Sequence, residues 1–208
     1  MLHTAQVLAF LAAAVVLTAT PGPDNLMVLS MGMARGRRAG IAFGLGCALG
    51  CLSHTLLAVV GVSALVAASP TAFLALKLAG GGYLVWMGLQ AWRHAGVARV
   101  QQAEGDGTSL RQLFAKGLLA NAVNPKVVLF FLSFLPQFVV ASHGQVAWQL
   151  GLLGLLFTAQ AALLFGLLGY FSGRVGAWLA RKPALGPWLD RLAGTVFIGL
   201  GVRLLVTR

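Results

Sequence analysis

Two stretches of this chain, Ala39 to Leu76 and Val127 to Gly173, contain no Asp, Glu, Lys or Arg. Crossing the ~30 Å hydrocarbon core of a bilayer takes about 20 mostly apolar residues in a helix, so each stretch is long enough for more than one crossing. In lipid a backbone has to satisfy its own hydrogen bonds, which makes helix the expected structure for such segments. The composition agrees. Of 208 residues, 59% are hydrophobic and 9% charged, whereas soluble domains carry about 25% charged residues. The chain reads as an all-α polytopic membrane protein.

Polar punctuation divides it into six segments, about 4–33, 40–67, 71–92, 112–138, 145–172 and 186–206. Loop one is "ARGRRAG", loop three is "RHAGVARVQQAEGDGTSLR", and loop five is "GRVGAWLARKPALGP". Eleven of the fifteen basic residues fall in or beside these three loops, and only Arg203 and Arg208 belong to the opposite side. Lysine and arginine accumulate in cytoplasmic loops, so loops one, three and five are expected in the cytoplasm and both termini in the periplasm. The net charge of +11 is therefore spread over loops rather than gathered on one face, which argues against nucleic acid as a partner. The apolar N-terminal segment lacks the preceding Lys or Arg of a cleavable signal peptide and reads as a retained helix. The whole chain, 1–208, is expected to be one transmembrane domain.

Two of the six segments are interrupted. "TPGPDNLMVL" at Thr20 to Leu29 and "VNPKVVLFF" at Val123 to Phe131 each break an apolar run with proline beside an amide residue, then resume it. Proline has no amide hydrogen and removes a helical bond, so Pro21, Gly22 and Pro23, and again Asn124 and Pro125, mark broken first and fourth helices. Aligning Pro23 on Pro125 sets Asp24 opposite Lys126. Each motif opens a unit of three helices, about 4–92 and 112–207, joined by a linker over about 93–111. An odd number of crossings per unit inverts one unit relative to the other. Inverted repeats with discontinuous helices are a transporter plan that holds substrate where the breaks meet.

Asp24 is the only acid inside a segment, since Glu104, Asp106 and Asp190 lie in or beside loops. An intramembrane carboxylate is costly and usually functional. Its roles stay open: pairing with Lys126, binding a substrate ammonium, taking up a proton, or capping the helix after Pro23. A helix resuming after a break also offers N–H groups and a positive dipole end to a carboxylate, with Asn25, Asn121 and Asn124 as polar neighbours. Lys77 either snorkels outward or lines the pathway. Cys47, Cys51 and His54 share one face of the second helix. That face suits either a soft metal or, with Gly40, Gly44, Ala58 and Gly61, close helix packing. Gln160 and Tyr170 are polar enough to face a cavity. No GxSxG, HExxH or phosphate loop is present, so neither enzymatic activity nor a cofactor is expected.

"TPGPDNLMVLSMGMARGRRAGIAFGLGCALGCLSH", the "SP…F…LK…G…YL" of the third segment and "NAVNPKVVLFFLSFLPQF" in the fourth closely resemble the LysE/RhtB amino-acid exporter family. The resemblance is strong up to Phe138 and beyond it extends only to hydrophobic pattern. It implies a bacterial inner-membrane exporter of amino acids or small derivatives, driven by the proton gradient. "PGPDN" and a short third loop resemble the branch for neutral substrates such as homoserine, threonine or leucine. Superfamily relatives that export metals or carry thiol redox equivalents are the competing readings. The electron carriers need cysteines in facing repeats, and here both lie on one helix. Gly44, Gly46 and Gly50 are available for packing within one chain or between copies in a homo-oligomer.

Overall fold

The structure, a computed structural model, describes residues 2–95, 107–140, 144–182 and 184–206. Most of the linker, with Arg99, Glu104 and Asp106, lies outside the described residues, as does Arg208. Among the described residues the chain is helical, with no strand.

Helix α1, Thr4–Ala19, and helix α2, Pro23–Arg35, meet at a 56° bend. Thr20 still donates its N–H to the Val16 carbonyl at 3.0 Å, then Gly22 runs extended (φ −168°, ψ −179°) into Pro23. Proline suits this first helical position because its fixed φ is already helical and its missing hydrogen has no partner there. One residue, Gly36 at φ +85°, separates α2 from α3, Arg37–Leu57. That left-handed backbone is the reason glycine sits there, and it contracts the expected seven-residue loop to a corner.

A π-helical turn at Ala58–Val62 carries α3 into α4, Ser63–Ala68. Ser69 caps α5, Pro70–Arg93, by accepting the Ala72 N–H at 3.2 Å. Helix α6, Leu110–Ala122, starts with a capping box between Ser109 and Gln112. It meets α7, Pro125–Leu129, at the second break, and the α7 span continues through a π-helical turn to Phe138 with an overall bend of 50°. Helix α8 runs from Val146 to Arg181, nine residues past its expected end at 172. The segment taken for loop five is therefore largely helix. Its Arg174 and Arg181 sit near the helix C-terminus, where cations complement the dipole, and Pro183 follows in the sequence. Helix α9 spans Leu185–Val206.

Among the described residues three helices are long and apolar enough to cross a membrane, at 37–65, 71–93 and 146–179, or five spans if each bent pair counts as one. Helix α9, with Asp190, Arg191 and Arg203, is not among them. Large apolar side chains point outward, Leu56 at 64% exposed, Val60 at 63% and Leu163 at 63%, as expected where the surrounding solvent is itself apolar.

Glycines set the packing. A Cβ on Gly40 would come within 2.9 Å of Gly32 Cα and 3.1 Å of Gly169 Cα, so α2, α3 and α8 touch backbone to backbone. A Cβ on Gly88 would lie 2.6 Å from the Gly194 carbonyl, and one on Gly201 2.7 Å from that of Gly81, which locks α5 along α9. Close approach through small residues suits a setting where the hydrophobic effect cannot drive helices together. Helix α9 packs chiefly on α5 and makes little contact with α2 or α8.

The two ends differ. At one, Arg35 of loop one donates to the Thr108 carbonyl of loop three at 2.7 Å, and Arg37 lies 5.4 Å from the Tyr170 ring on α8. At the other, buried Gln149 bonds Val140 N–H at 3.0 Å, its carbonyl at 3.0 Å and the Gly144 carbonyl at 2.8 Å, and Gln6 donates to the Phe138 carbonyl. Beneath this clasp Phe10, Phe130, Phe131, Phe134, Phe138 and Phe157 form one aromatic cluster with centroids 4.9 to 6.4 Å apart.

Candidate functional site

The two breaks meet. Ending α1 early leaves carbonyls without helical partners, and residues from elsewhere take them. Asn25 Nδ2 donates to the Thr18 carbonyl at 2.9 Å, and Lys126 Nζ donates to the Thr20 carbonyl at 3.0 Å. At the second break Asn124 caps α7 by accepting the Lys126 N–H at 3.1 Å. Gly22 leaves room for the lysine, since a Cβ there would stand 3.3 Å from Nζ. The Lys126 ammonium also lies 5.1 Å from the Phe197 ring centroid on α9, a cation–π arrangement.

Asp24, 6% exposed, accepts from Asn121 Nδ2 at 2.7 Å. Asn121 is the hub of this polar group. Its side-chain oxygen accepts from Cys51 Sγ at 3.4 Å, and its main-chain carbonyl lies 3.0 Å from His54 Nε2. Of the roles left open for Asp24, direct pairing with Lys126 is not the contact formed here: Asp24 takes Asn121 and Lys126 takes the Thr20 carbonyl across the same small cavity.

That cavity, about 20 Å³, is bordered by Gly22, Asp24, Asn25, Asn121, Asn124 and Lys126. Leu17, Val127, Phe157 and Phe165 supply its apolar wall. It has room for a single water and none for an amino acid, so the polar groups are closed on one another. Of the other residues anticipated at the site, Pro21 borders a neighbouring cleft, and His54 stands behind Asn121. Lys77 is buried on α5, not snorkelled to the surface, and does not border this cavity. Tyr170 is half exposed beneath Arg37, whereas Gln160 donates to Thr18 Oγ1 at 2.9 Å. Thr18 and Thr20 were not flagged by sequence. Their signal is position alone, in the last turn before a proline break.

The face of α3 behaves as a packing face. Gly40 meets Gly32 and Gly169, and Gly44 meets Phe165. Gly46 abuts Phe114, and Gly50 abuts Asn121. Gly44, Gly46 and Gly50 thus serve contacts inside the chain, and Gly61 has nothing within 4 Å. Among the described residues no group of three or more His, Cys, Asp or Glu is placed to hold a metal ion. Cys51 Sγ and His54 Nε2 instead face Asn121.

Comparison with known proteins gives these residues a context. The chain is 30% identical to a homoserine/homoserine lactone efflux protein of Salmonella typhimurium over 96% of each chain. It is 28% identical to a threonine efflux protein of Escherichia coli (strain K12), covering 91% of this chain and 92% of the relative. A leucine efflux protein of Klebsiella pneumoniae is 26% identical, covering 95% and 93%. No solved structure matches the chain. The sequence model of the LysE type translocators matches residues 15–208, and the chain belongs to that family.

Proposed function

We propose that this protein exports neutral amino acids across the bacterial inner membrane by proton antiport. One observation carries the reading: an acid and a base from two facing helix breaks, Asp24 and Lys126, border the same buried cavity. A zwitterion supplies the complementary pair. Its carboxylate is a stronger acceptor than the Thr20 carbonyl for the Lys126 ammonium, since it brings a full negative charge to a buried cation where Coulomb attraction is weakly screened. Its ammonium goes to Asp24.

Coupling follows from competition at Asp24. A protonated Asp24 no longer attracts the ammonium and holds Asn121 only through a neutral bond, so proton and substrate bind in alternation. A coupling ion shifts an equilibrium only by binding its two states unequally, and the two states here are opposite-facing arrangements of the repeats 4–92 and 112–207. In this arrangement α9 completes six spans despite its charged residues. The arginine-rich end faces the cytoplasm and both termini the periplasm. The aromatic cluster and the Gln149 clasp then seal the periplasmic side of the cavity. The relatives' names, for homoserine, threonine and leucine efflux, support an amino-acid cargo.

The test is uptake of single amino acids into inside-out vesicles, whose lumen stands for the periplasm, under an imposed pH gradient with the lumen acidic. Wild-type protein moves substrate against its gradient when protons run the other way. Asp24→Asn inserts normally and loses proton-driven movement, and wild-type rates from that variant would overturn the mechanism.

A further inference from the structure

Resting on the exporter reading, we infer that the cleft beside the polar cavity is the subsite for the substrate's side chain and selects bulky apolar side chains. The cleft has a volume of about 360 Å³, against about 20 Å³ for the cavity. It exists because α9 is anchored on α5 and stands away from α2 and α8. Asn25 borders both spaces, so a single side chain separates them, and Pro21 of the break forms part of the cleft wall. A zwitterion with its head groups on Lys126 and Asp24 therefore has two roomy directions for its side chain, the cleft past Asn25 and a shallower groove of about 280 Å³ that shares Thr18, Asn25 and Phe165 with the cavity, and the cleft is the larger.

The walls state what belongs there. Leu26 and Leu29 of α2 face Leu168, Val175 and Leu179 of α8, with Leu189 of α9 closing the third side. The charged side chain on the wall is Asp190, which has a partner of its own. A charged substrate side chain would lose its hydration here without a free counter-charge, and a hydroxyl would lose water hydrogen bonds to a wall that is mostly apolar, with Asn25, Trp178 and Asp190 as its polar members. An aliphatic or aromatic side chain gains by burial, and each methylene in such a pocket discriminates by roughly 10-fold or more. The shallower groove, on the flank of α8, shares Asn25, Leu168 and Val175 with the cleft and is bordered by half-exposed Leu167 and Phe171. A lipid chain is therefore the rival occupant.

The full-length protein reconstituted in proteoliposomes decides between them. Efflux of leucine, phenylalanine, alanine, threonine, homoserine and lysine is measured for the wild type, for Leu168→Asn, for Leu189→Asn and for Gly61→Ala as a control away from the cleft. The inference expects leucine and phenylalanine to be exported at least about 10-fold more efficiently than alanine or threonine. It expects the leucine-to-alanine ratio to fall about 10-fold in both cleft variants and to stay at the wild-type value in Gly61→Ala. Wild-type export of alanine, threonine, homoserine or lysine as efficient as that of leucine overturns the subsite and leaves the exporter reading standing. A ratio that does not move in the cleft variants does the same and favours a lipid in the cleft. If a cleft variant fails to insert, the wild-type ranking still decides. Export of none of the six overturns both readings.

Discussion

Asn121 and Asp24 lie 97 positions apart in sequence and meet through a 2.7 Å hydrogen bond between the two helix breaks. The same asparagine holds Cys51 of α3 through its side-chain oxygen and His54 through its main-chain carbonyl, so two other helices, α2 and α3, depend on its side chain. Asn121→Leu keeps the approximate size and removes the partners of a buried carboxylate and thiol. Leaving such groups unpaired costs about 1–3 kcal/mol, more when charged. The expected outcome is a lowered melting temperature in detergent and efflux reduced more than about 10-fold, the larger effect being on transport.

Gly22 tests the lysine rather than the backbone. Its extended conformation is open to any residue, so alanine introduces no backbone strain there. What alanine does introduce is a methyl 3.3 Å from Lys126 Nζ. Gly22→Ala is expected to insert and melt close to wild type while the apparent KM for export rises several-fold. An unchanged KM would show that the position of Nζ does not govern binding.

Gly40 and Gly61 separate packing from composition. Gly40→Ala pushes the backbones of α2 and α8 away from α3, because its nearest neighbours are main-chain atoms of Gly32 and Gly169. Overpacking of this kind costs about 1–3 kcal/mol. Gly61→Ala meets nothing within 4 Å and removes backbone freedom from the unfolded chain at a helical φ/ψ, which is neutral to mildly stabilising. Monodisperse yield and melting temperature should fall for the first and hold or rise for the second.

The cysteines are expected to be dispensable. Serine at position 51 keeps a donor for the Asn121 oxygen, and Cys47 is buried in helix packing. A Cys47→Ser/Cys51→Ser double variant should retain at least about half of wild-type efflux, allowing for a modest packing loss. Abolished efflux at normal membrane abundance would point instead to soft-metal or thiol chemistry.

What the sequence disclosed was whatever a residue dictates to its own neighbourhood. Pro21, Pro23 and Pro125 lack an amide hydrogen wherever they fall, so both breaks and the six helical stretches were legible, the boundaries mostly within a few residues. Gly36 was not legible as a corner, because a chain rich in arginine reads as loop until one glycine supplies the left-handed turn. Nor was the α8 extension, whose "RVGAWLAR" is as compatible with loop as with helix. Asn121 was visible as a polar residue one turn before a break. Its service to Asp24, Cys51 and His54 was not, since those contacts cross 67 to 97 positions of chain.

The Lys126–Thr20 contact carries a consequence for the transport cycle. The carbonyl that the first break sets free is held by the lysine that the second break delivers, so each interruption acts as the other's latch. On the exporter reading, cargo and latch compete for a single ammonium. An empty carrier then stays fastened, and the arriving carboxylate is itself the key that releases the two halves to move.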